Sequence, residues 1–96
     1  MNADAPHILV VDDDTRLREL LQKFLAANGF RVSAAKDAAE ARKLLAGMAF
    51  DLIVLDVMMP GEDGLQFTEA LRRHSAIPIL LLTARSEVEH RIDGLE

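Results

Sequence analysis

Residues that could do chemistry directly follow three apolar runs of the sequence. In chain order they are Asp12 and Asp13, then Asp56, then Thr83 and Ala84. Carboxylates that pack together repel one another, so either some stay protonated or a cation neutralises them. Oxygen ligands without a nearby His or Cys suit a hard cation such as Mg²⁺. Aspartate can also accept a phosphoryl group covalently, while the cation and a hydroxyl donor stabilise the transferred charge. The pattern therefore predicts a Mg²⁺ site at which an aspartate is phosphorylated.

Alternating strands and helices are predicted to bring these residues together. Short apolar runs predict strands, and apolar residues spaced three or four apart predict helices. The predicted strands are 8–11, 31–35, 52–55 and 79–82, and the predicted helices are 17–25, 37–48 and 65–74, followed by a helical stripe of Val88, Ile92 and Leu95. Apolar strands with short connections indicate an α/β fold, a parallel sheet sandwiched between helices. Ligands bind beyond the carboxyl ends of such strands, so the carboxylates and the hydroxyl are expected at one edge.

Two of the predicted helices carry an apolar stripe. The first is expected to bury five residues on one face: Leu17, Leu20, Leu21, Phe24 and Leu25. Asn28 and Gly29 are expected to end it, with Gly29 in the left-handed conformation. The second helix is expected to open with a capping box of Asp37 and Glu40. Its predicted buried stripe is Ala41, Leu44, Leu45 and Met48.

Composition limits the classes of protein to which the chain can belong. Its 96 residues, half of them hydrophobic, predict one small domain over residues 7–96 after a disordered N-terminus at 1–6. There is no cysteine, which excludes disulfides and thiolate metal sites. No apolar stretch approaches the roughly 18 residues of a membrane helix, so no membrane partner is expected and a cytoplasmic location is the default. The net charge is −5 and no basic run exceeds Arg72–Arg73, so direct binding of nucleic acid is not expected.

Three motifs together resemble the receiver domain of bacterial two-component response regulators. They read VVDDD at 10–14, LDVMMPGEDG at 55–64 and LTAR at 82–85, and the resemblance runs from residue 8 to residue 96. Receivers have a flavodoxin-like (CheY-like) fold with strand order 2-1-3-4-5, so the order expected for the four strands here is 2-1-3-4. The phrases LLLTAR and GLE most resemble the OmpR/PhoB-type transcription regulators, which continue into a winged-helix DNA-binding domain.

The resemblance implies roles for individual residues of the acidic site. Asp56 is implied to accept the phosphoryl group from a phosphohistidine of a sensor histidine kinase. Asp13, Asp56 and the backbone carbonyl of Met58 are implied to bind Mg²⁺, while Asp12 acts mostly through a metal-bound water. The chain would then be a signalling phosphoacceptor and not an enzyme.

The resemblance also implies a switch after the fourth strand, and there the family pattern is incomplete. Thr83 is implied to be the switch hydroxyl, and Ala84 the small residue that leaves the phosphate room. Receivers continue into a fifth strand with a phosphate-pairing Lys and an aromatic switch residue, then a fifth helix, whereas the sequence ends at Glu96. The domain is therefore expected to be incomplete at its C-terminal end and to be phosphorylated poorly. The apolar fourth strand would form an exposed edge of the sheet, with which a second copy of the chain can pair, so the sequence is also consistent with a homodimer.

Two other functions remain open from the sequence. Haloacid-dehalogenase-type phosphatases place a nucleophilic aspartate after the first strand and a second aspartate two residues on, and Asp12 and Asp14 fit these positions. The third position of that pattern falls on Arg16, and Asp56 would have no role. The other alternative is a non-phosphorylated interaction module with the same fold, although the full acidic set argues against it.

Overall fold

A computed structural model describes residues 4–82, which form a parallel four-stranded sheet with helices on both faces. The elements are β1 (His7–Val11), α1 (Thr15–Ala27), β2 (Arg31–Ala35), α2 (Ala38–Gly47), β3 (Leu52–Asp56), α3 (Gly64–Leu71) and β4 (Ile79–Leu82). The sheet order is β2-β1-β3-β4, and each neighbouring pair is parallel. The predicted fold class and strand order are therefore confirmed. The predicted stripe of Val88, Ile92 and Leu95 lies outside the described residues.

Alternate strand residues enter two apolar clusters, one on each face of the sheet. Leu9 and Leu55 are fully buried in the cluster that contains Phe67 of α3. Val10 is fully buried in the other cluster, which includes Leu21 of α1. Burying one such side chain contributes about 1.5–3 kcal/mol. A slip of one residue would turn every strand side chain to the opposite face, so this burial fixes the strand register and the residues that follow each strand.

The first helix buries a narrower stripe than the sequence predicts. Leu17, Leu21 and Leu25 are half-buried, but Leu20 is 63% exposed and Phe24 62% exposed. The predicted burial of these last two residues is wrong. Residues spaced four apart form one ridge of a helix, and α1 contacts the sheet through the ridge of Leu17, Leu21 and Leu25. Within residues 4–82 no element covers the adjoining ridge.

The C-terminal end of α1 and the N-terminal end of α2 test the two capping predictions. Gly29 has a φ of +92°, so it adopts the left-handed conformation expected after α1. At the start of α2 the Asp37 carboxylate accepts a hydrogen bond from the Glu40 N–H at 2.8 Å. The Glu40 carboxylate accepts from the Lys36 N–H instead of the Asp37 N–H, so the predicted capping box is only half formed.

The second helix ends before the last residue of its predicted stripe. Its final residue is Gly47, which has a low helix propensity. Met48 follows in an extended conformation and is 40% exposed, so its predicted burial is wrong. Ala41 is fully buried as predicted, and Leu44 and Leu45 are half-buried.

The third helix begins one residue earlier than predicted and ends three residues earlier. Asp63 caps it through a capping box with Gln66: the Asp63 carboxylate accepts from the Gln66 N–H at 2.8 Å, and the Gln66 side chain accepts from the Asp63 N–H at 3.0 Å. The spacing of these two residues is a sequence signal for a helix start, which the predicted start at residue 65 overlooks. The helix extends to Leu71, so residues 72–74 of the predicted helix form a turn.

The described part of the N-terminal segment is held against β2. The carbonyl of Ala5 accepts a hydrogen bond from Nε of Arg31 at 2.9 Å, and the carbonyl of Pro6 accepts from the Arg31 N–H at 2.9 Å. Ala5 is also buried. These two residues, which fall in the segment predicted to be disordered, thus have fixed partners. Among the described helices, none is long and apolar enough to cross a membrane.

Candidate metal and phosphoacceptor site

Three carboxylates meet beyond the carboxyl ends of β1 and β3. Val11 pairs with Leu55 in the parallel register, so Asp12, which follows β1, lies at the same level as Asp56, the last residue of β3. Asp13 is the next residue along the chain, and the carboxylate oxygens of all three aspartates lie within 4.8 Å of one another. The structure therefore brings together the aspartates that the sequence predicts to converge.

Asp12 is the more deeply buried of the two aspartates that follow β1. Only 3% of its surface is exposed, and its Oδ1 accepts a hydrogen bond from the Asp14 N–H at 2.9 Å. Burial raises the pKa of Asp12, and the charges of Asp13 and Asp14 raise it further. The hydrogen bond from the Asp14 N–H and the charge of Arg18 partly offset this rise. Nη1 of Arg18 donates a hydrogen bond to the Asp12 carbonyl at 2.7 Å. This bond holds the positively charged guanidinium near the cluster.

Asp56 is buried at the end of β3, with 6% of its surface exposed. Its Oδ1 accepts a hydrogen bond from the Met58 N–H at 3.0 Å. Burial raises the pKa of Asp56 to about 6, the charges of Asp12 and Asp13 add to the rise, and the Met58 N–H opposes it. The ionised form of Asp56 is therefore disfavoured unless a positive charge enters the cluster.

Asp14 stands beside the cluster but has a different role. Its carboxylate accepts a hydrogen bond from the Leu17 N–H at 3.1 Å and so caps the N-terminus of α1. The three carboxylates that lie within 4.8 Å of one another do not include it. A phosphatase arrangement built on Asp12 and Asp14 would need both carboxylates at one site, so this geometry does not favour it.

Gly64 lets the first turn of α3 pack against the backbone at Asp56. A Cβ at this position would lie 2.5 Å from the Asp56 carbonyl oxygen and 2.8 Å from the Cα of Val57. The Gly64 N–H also donates to the Val57 carbonyl at 2.9 Å, closing the connection between β3 and α3. Since backbone atoms cannot move aside cheaply, only glycine fits here without a shift of the loop.

The residues predicted to follow β4 are not among those described. β4 ends at Leu82, which pairs with Asp56 in the parallel register, and the Leu82 carbonyl accepts from the Val57 N–H at 2.9 Å. Thr83 and Ala84 come next in the sequence and lie outside the described residues.

A contact that the sequence does not signal reaches the loop after Asp56. The guanidinium of Arg42 in α2 forms a two-pronged ion pair with the Glu62 carboxylate, and its Nη2 lies 2.9 Å from Oε2. The same guanidinium lies over the Phe67 ring, 4.9 Å from its centroid. The hydrogen bonds from Arg42 lower the pKa of Glu62. The two charged residues are 20 positions apart and fit no spacing rule, so no sequence pattern could have found the pair.

The donor set fits a hard divalent cation. The cluster offers three carboxylate oxygens, two of them from buried residues, and no nitrogen or sulfur ligand. Mg²⁺ prefers such oxygen ligands and keeps waters in its remaining positions. The raised pKa values of Asp12 and Asp56 indicate negative charge that a cation would offset. The arrangement can therefore bind a divalent cation beside a buried carboxylate.

Comparison with known proteins agrees with this fold and site. The profile of the response regulator receiver domain matches residues 8–96. The chain therefore belongs to the receiver domain family of two-component response regulators. Protein PetR of Rhodobacter capsulatus is 66% identical over 96 residues, which make up 100% of this chain and 40% of PetR. Response regulator MprA of Mycobacterium sp. (strain KMS) is 49% identical over 90 residues, 93% of this chain and 39% of MprA.

Solved structures of response regulators have the same fold. The chain resembles TrrA of Thermotoga maritima, solved in complex with Mg²⁺-BeF, with a TM-score of 0.79 and 39% identity over 84% of this chain and 71% of TrrA. It resembles the chemotaxis protein CheY4 of Vibrio cholerae with a TM-score of 0.81 and 33% identity over 88% of this chain and 72% of CheY4. The chain spans no more than 40% of the length of the two curated relatives named above.

Proposed function

We propose that Asp56 accepts a phosphoryl group from a phosphohistidine of a sensor histidine kinase, in a Mg²⁺-dependent reaction. The observation that carries this proposal is the buried Asp56 carboxylate, with the carboxylates of Asp12 and Asp13 within 4.8 Å, at the carboxyl edge of a parallel sheet. The complex of the relative TrrA with Mg²⁺-BeF supports it. The chain itself would be a signalling phosphoacceptor and not an enzyme.

The residues that would hold Mg²⁺ are Asp13, Asp56 and the Met58 backbone carbonyl, with Asp12 acting through a water. When bound, Mg²⁺ neutralises the carboxylates and offsets negative charge on the phosphoryl oxygens. The N–H groups of Asp14 and Met58 fix the orientation of the Asp12 and Asp56 carboxylates. The cluster therefore binds the cation through side chains that are already oriented.

Asp56 supplies the nucleophile of the transfer. Although burial raises the pKa of Asp56 to about 6, this value still lies below neutral pH, so most of the carboxylate is ionised there. One carboxylate oxygen forms a bond to phosphorus as the bond from phosphorus to the histidine nitrogen breaks, and the nitrogen leaves with the electron pair. The product is an acyl phosphate on Asp56. Following the family, the Thr83 hydroxyl would donate a hydrogen bond to the phosphoryl group, and the small side chain of Ala84 would leave space for that group.

The relatives suggest what the phosphorylation controls. PfeR of Pseudomonas aeruginosa, 42% identical over 90 residues, is called a transcriptional activator protein, and the match covers 30% of its length. Control of a DNA-binding output domain is therefore part of this proposal, as are a cytoplasmic location and the partner kinase. Light scattering tests whether two copies of the chain pair: a clean monomer at high concentration would rule pairing out.

Intact-mass measurement tests the transfer itself. The chain is incubated with acetyl phosphate, with Mg²⁺ or with a chelator, and the phosphorylated residue is located by peptide mapping. Any phosphoryl group is expected on Asp56 alone and only with Mg²⁺, and none is expected in the Asp56→Asn variant. Phosphorylation of Asp12 in place of Asp56 would instead favour the phosphatase chemistry.

Two neighbouring substitutions test the metal site. Asp13→Asn removes one carboxylate of the cluster. Asp14→Asn removes an equal charge from the adjacent residue, which lies outside the cluster, and keeps an N-cap acceptor for α1. Mg²⁺ titration followed by NMR is expected to give strongly reduced affinity for Asp13→Asn and nearly wild-type affinity for Asp14→Asn. Equal losses in the two variants would mean that only the total charge matters. Absence of Mg²⁺-induced shifts near Asp13 and Asp56 in the wild type would favour the interaction module.

A further inference from the structure

The ion pair between Arg42 and Glu62 has features that most surface ion pairs lack. Both oxygens of the Glu62 carboxylate accept hydrogen bonds from the guanidinium. The guanidinium also lies over Phe67, a core side chain that is only 1% exposed. Exposed ion pairs usually contribute little because two mobile side chains must be ordered. Here the buried ring and the two-pronged geometry restrict the Arg42 side chain.

Glu62 lies in the connection between the phosphoacceptor and α3. At one end of this connection the Met58 N–H donates to Oδ1 of Asp56 at 3.0 Å. At the other end Asp63 caps α3, and the Gly64 N–H donates to the Val57 carbonyl. Glu62 directly precedes that cap, so Arg42 attaches the α3 end of the connection to α2. Between Asp56 and α3 the backbone is thus held from within the loop and also from a separate helix.

We propose that Arg42 is a positioning residue for the acidic site: its guanidinium, which lies over Phe67, holds Glu62 and so orders the loop that would present the Met58 carbonyl to the cation. This inference rests on the proposed function, because it assumes that the cluster binds Mg²⁺. A loop that is ordered before the cation arrives loses less conformational freedom on binding. Arg42 therefore raises the Mg²⁺ affinity without touching the metal or the phosphoryl group.

A purely structural role makes a different prediction from a positioning role. If the ion pair only joined α2 to the loop, its loss would lower the stability of the folded chain and leave the Mg²⁺ affinity of the folded state unchanged. If it positions the loop, the Mg²⁺ affinity falls even where the variant is fully folded. Without metal, the Met58 amide should also exchange its hydrogen faster in such a variant than in the wild type, because its hydrogen bond to Asp56 is less firmly held.

The test is a Mg²⁺ titration of the whole 96-residue chain by calorimetry, with hydrogen exchange at Met58 as the second readout. Arg42→Leu and Glu62→Gln are each expected to weaken Mg²⁺ binding by about two- to fivefold, as the usual worth of an ion pair with a stacked guanidinium implies. The double variant should bind Mg²⁺ no more weakly than either single variant, because both substitutions remove the same ion pair. Arg42→Lys keeps the charge but loses the two-pronged ion pair and the stacking on Phe67. Its Mg²⁺ affinity should therefore lie between those of the wild type and Arg42→Leu.

Matched controls remove the same charges elsewhere on the surface. Arg73→Leu and Glu69→Gln change exposed residues of the region around α3 for which the described residues provide no side-chain hydrogen bond, and neither should alter Mg²⁺ affinity. Wild-type affinity and wild-type Met58 exchange in Arg42→Leu would overturn this inference alone. Lack of Mg²⁺ binding by the wild-type chain would overturn the proposed function, and this inference with it.

Discussion

Replacing Asp56 with Asn should stabilise the metal-free chain at neutral pH. The substitution removes a charge that is buried beside Asp12 and Asp13, while the Asn oxygen still accepts from the Met58 N–H. The pKa of Asp56 rises from its ordinary 3.8 to about 6. One pKa unit corresponds to about 1.36 kcal/mol, so ionising Asp56 costs the folded state up to about 3 kcal/mol. Since water and salt ions reach this edge of the sheet, the expected gain in unfolding free energy is about 1–3 kcal/mol.

The effect has a defined pH window. Folding raises the pKa of Asp56, so between its ordinary value of 3.8 and about 6 the folded state binds the proton more tightly than the unfolded state. The contribution of the protonated group to stability is therefore complete below pH 3.8 and is lost as the pH rises through about 6. The wild type should lose more stability than Asp56→Asn over this interval, and the two curves should run parallel above it.

Urea unfolding at a series of pH values, with a chelator present, measures this difference. Glu69→Gln serves as the control because it removes one negative charge from an exposed position outside the cluster. Adding Mg²⁺ should stabilise the wild type and should have much less effect on Asp56→Asn. If Asp56→Asn were no more stable than wild type at neutral pH, or if the difference did not change with pH, the claim that Asp56 is destabilised by burial would be wrong.

Further substitutions test the loop and the cap that surround the acceptor. Gly64→Ala should destabilise the chain by about 1–3 kcal/mol, because its Cβ would lie 2.5 Å from the Asp56 carbonyl oxygen. Gly47→Ala is the matched control, since its Cβ meets no atom within 4 Å and alanine favours the helix. It should leave stability unchanged or raise it by up to about 1 kcal/mol. Asp63→Ala should cost about 1 kcal/mol by removing the cap of α3, and Asp63→Asn should retain most of that stability. Urea unfolding measures all four, and equal stability of Gly64→Ala and Gly47→Ala would contradict the close approach at Asp56.

The convergence of the acidic residues could be predicted from the sequence because it depends on topology alone. Asp12 and Asp56 each follow a continuous apolar run, and such runs predict parallel strands whose carboxyl ends share one edge. These inferences need no side-chain detail.

What the sequence could not predict depends on how one element meets another. A helical stripe shows which side of α1 is apolar, but not that Leu20 and Phe24 fall outside the contact with the sheet. The pairing of Arg42 with Glu62 depends on the distance between α2 and the loop after β3. Local sequence spacing encodes neither the contact of α1 with the sheet nor the distance from α2 to the loop, because the packing of whole elements on the sheet sets both.

The strand register explains why the acidic cluster cannot relax by moving apart. Val11 and Leu55, which directly precede Asp12 and Asp56, pair with each other and are fully buried. Shifting either strand to separate the carboxylates would expose such side chains, at about 1.5–3 kcal/mol each. For these two side chains together the cost is about 3–6 kcal/mol, which equals or exceeds the roughly 3 kcal/mol of repulsion and desolvation that the shift would relieve. The chain therefore keeps the carboxylates together, and only a proton or a cation can offset their charge. This is why the apolar residues of β1 and β3, which do no chemistry, determine how strongly the site should respond to pH and to Mg²⁺.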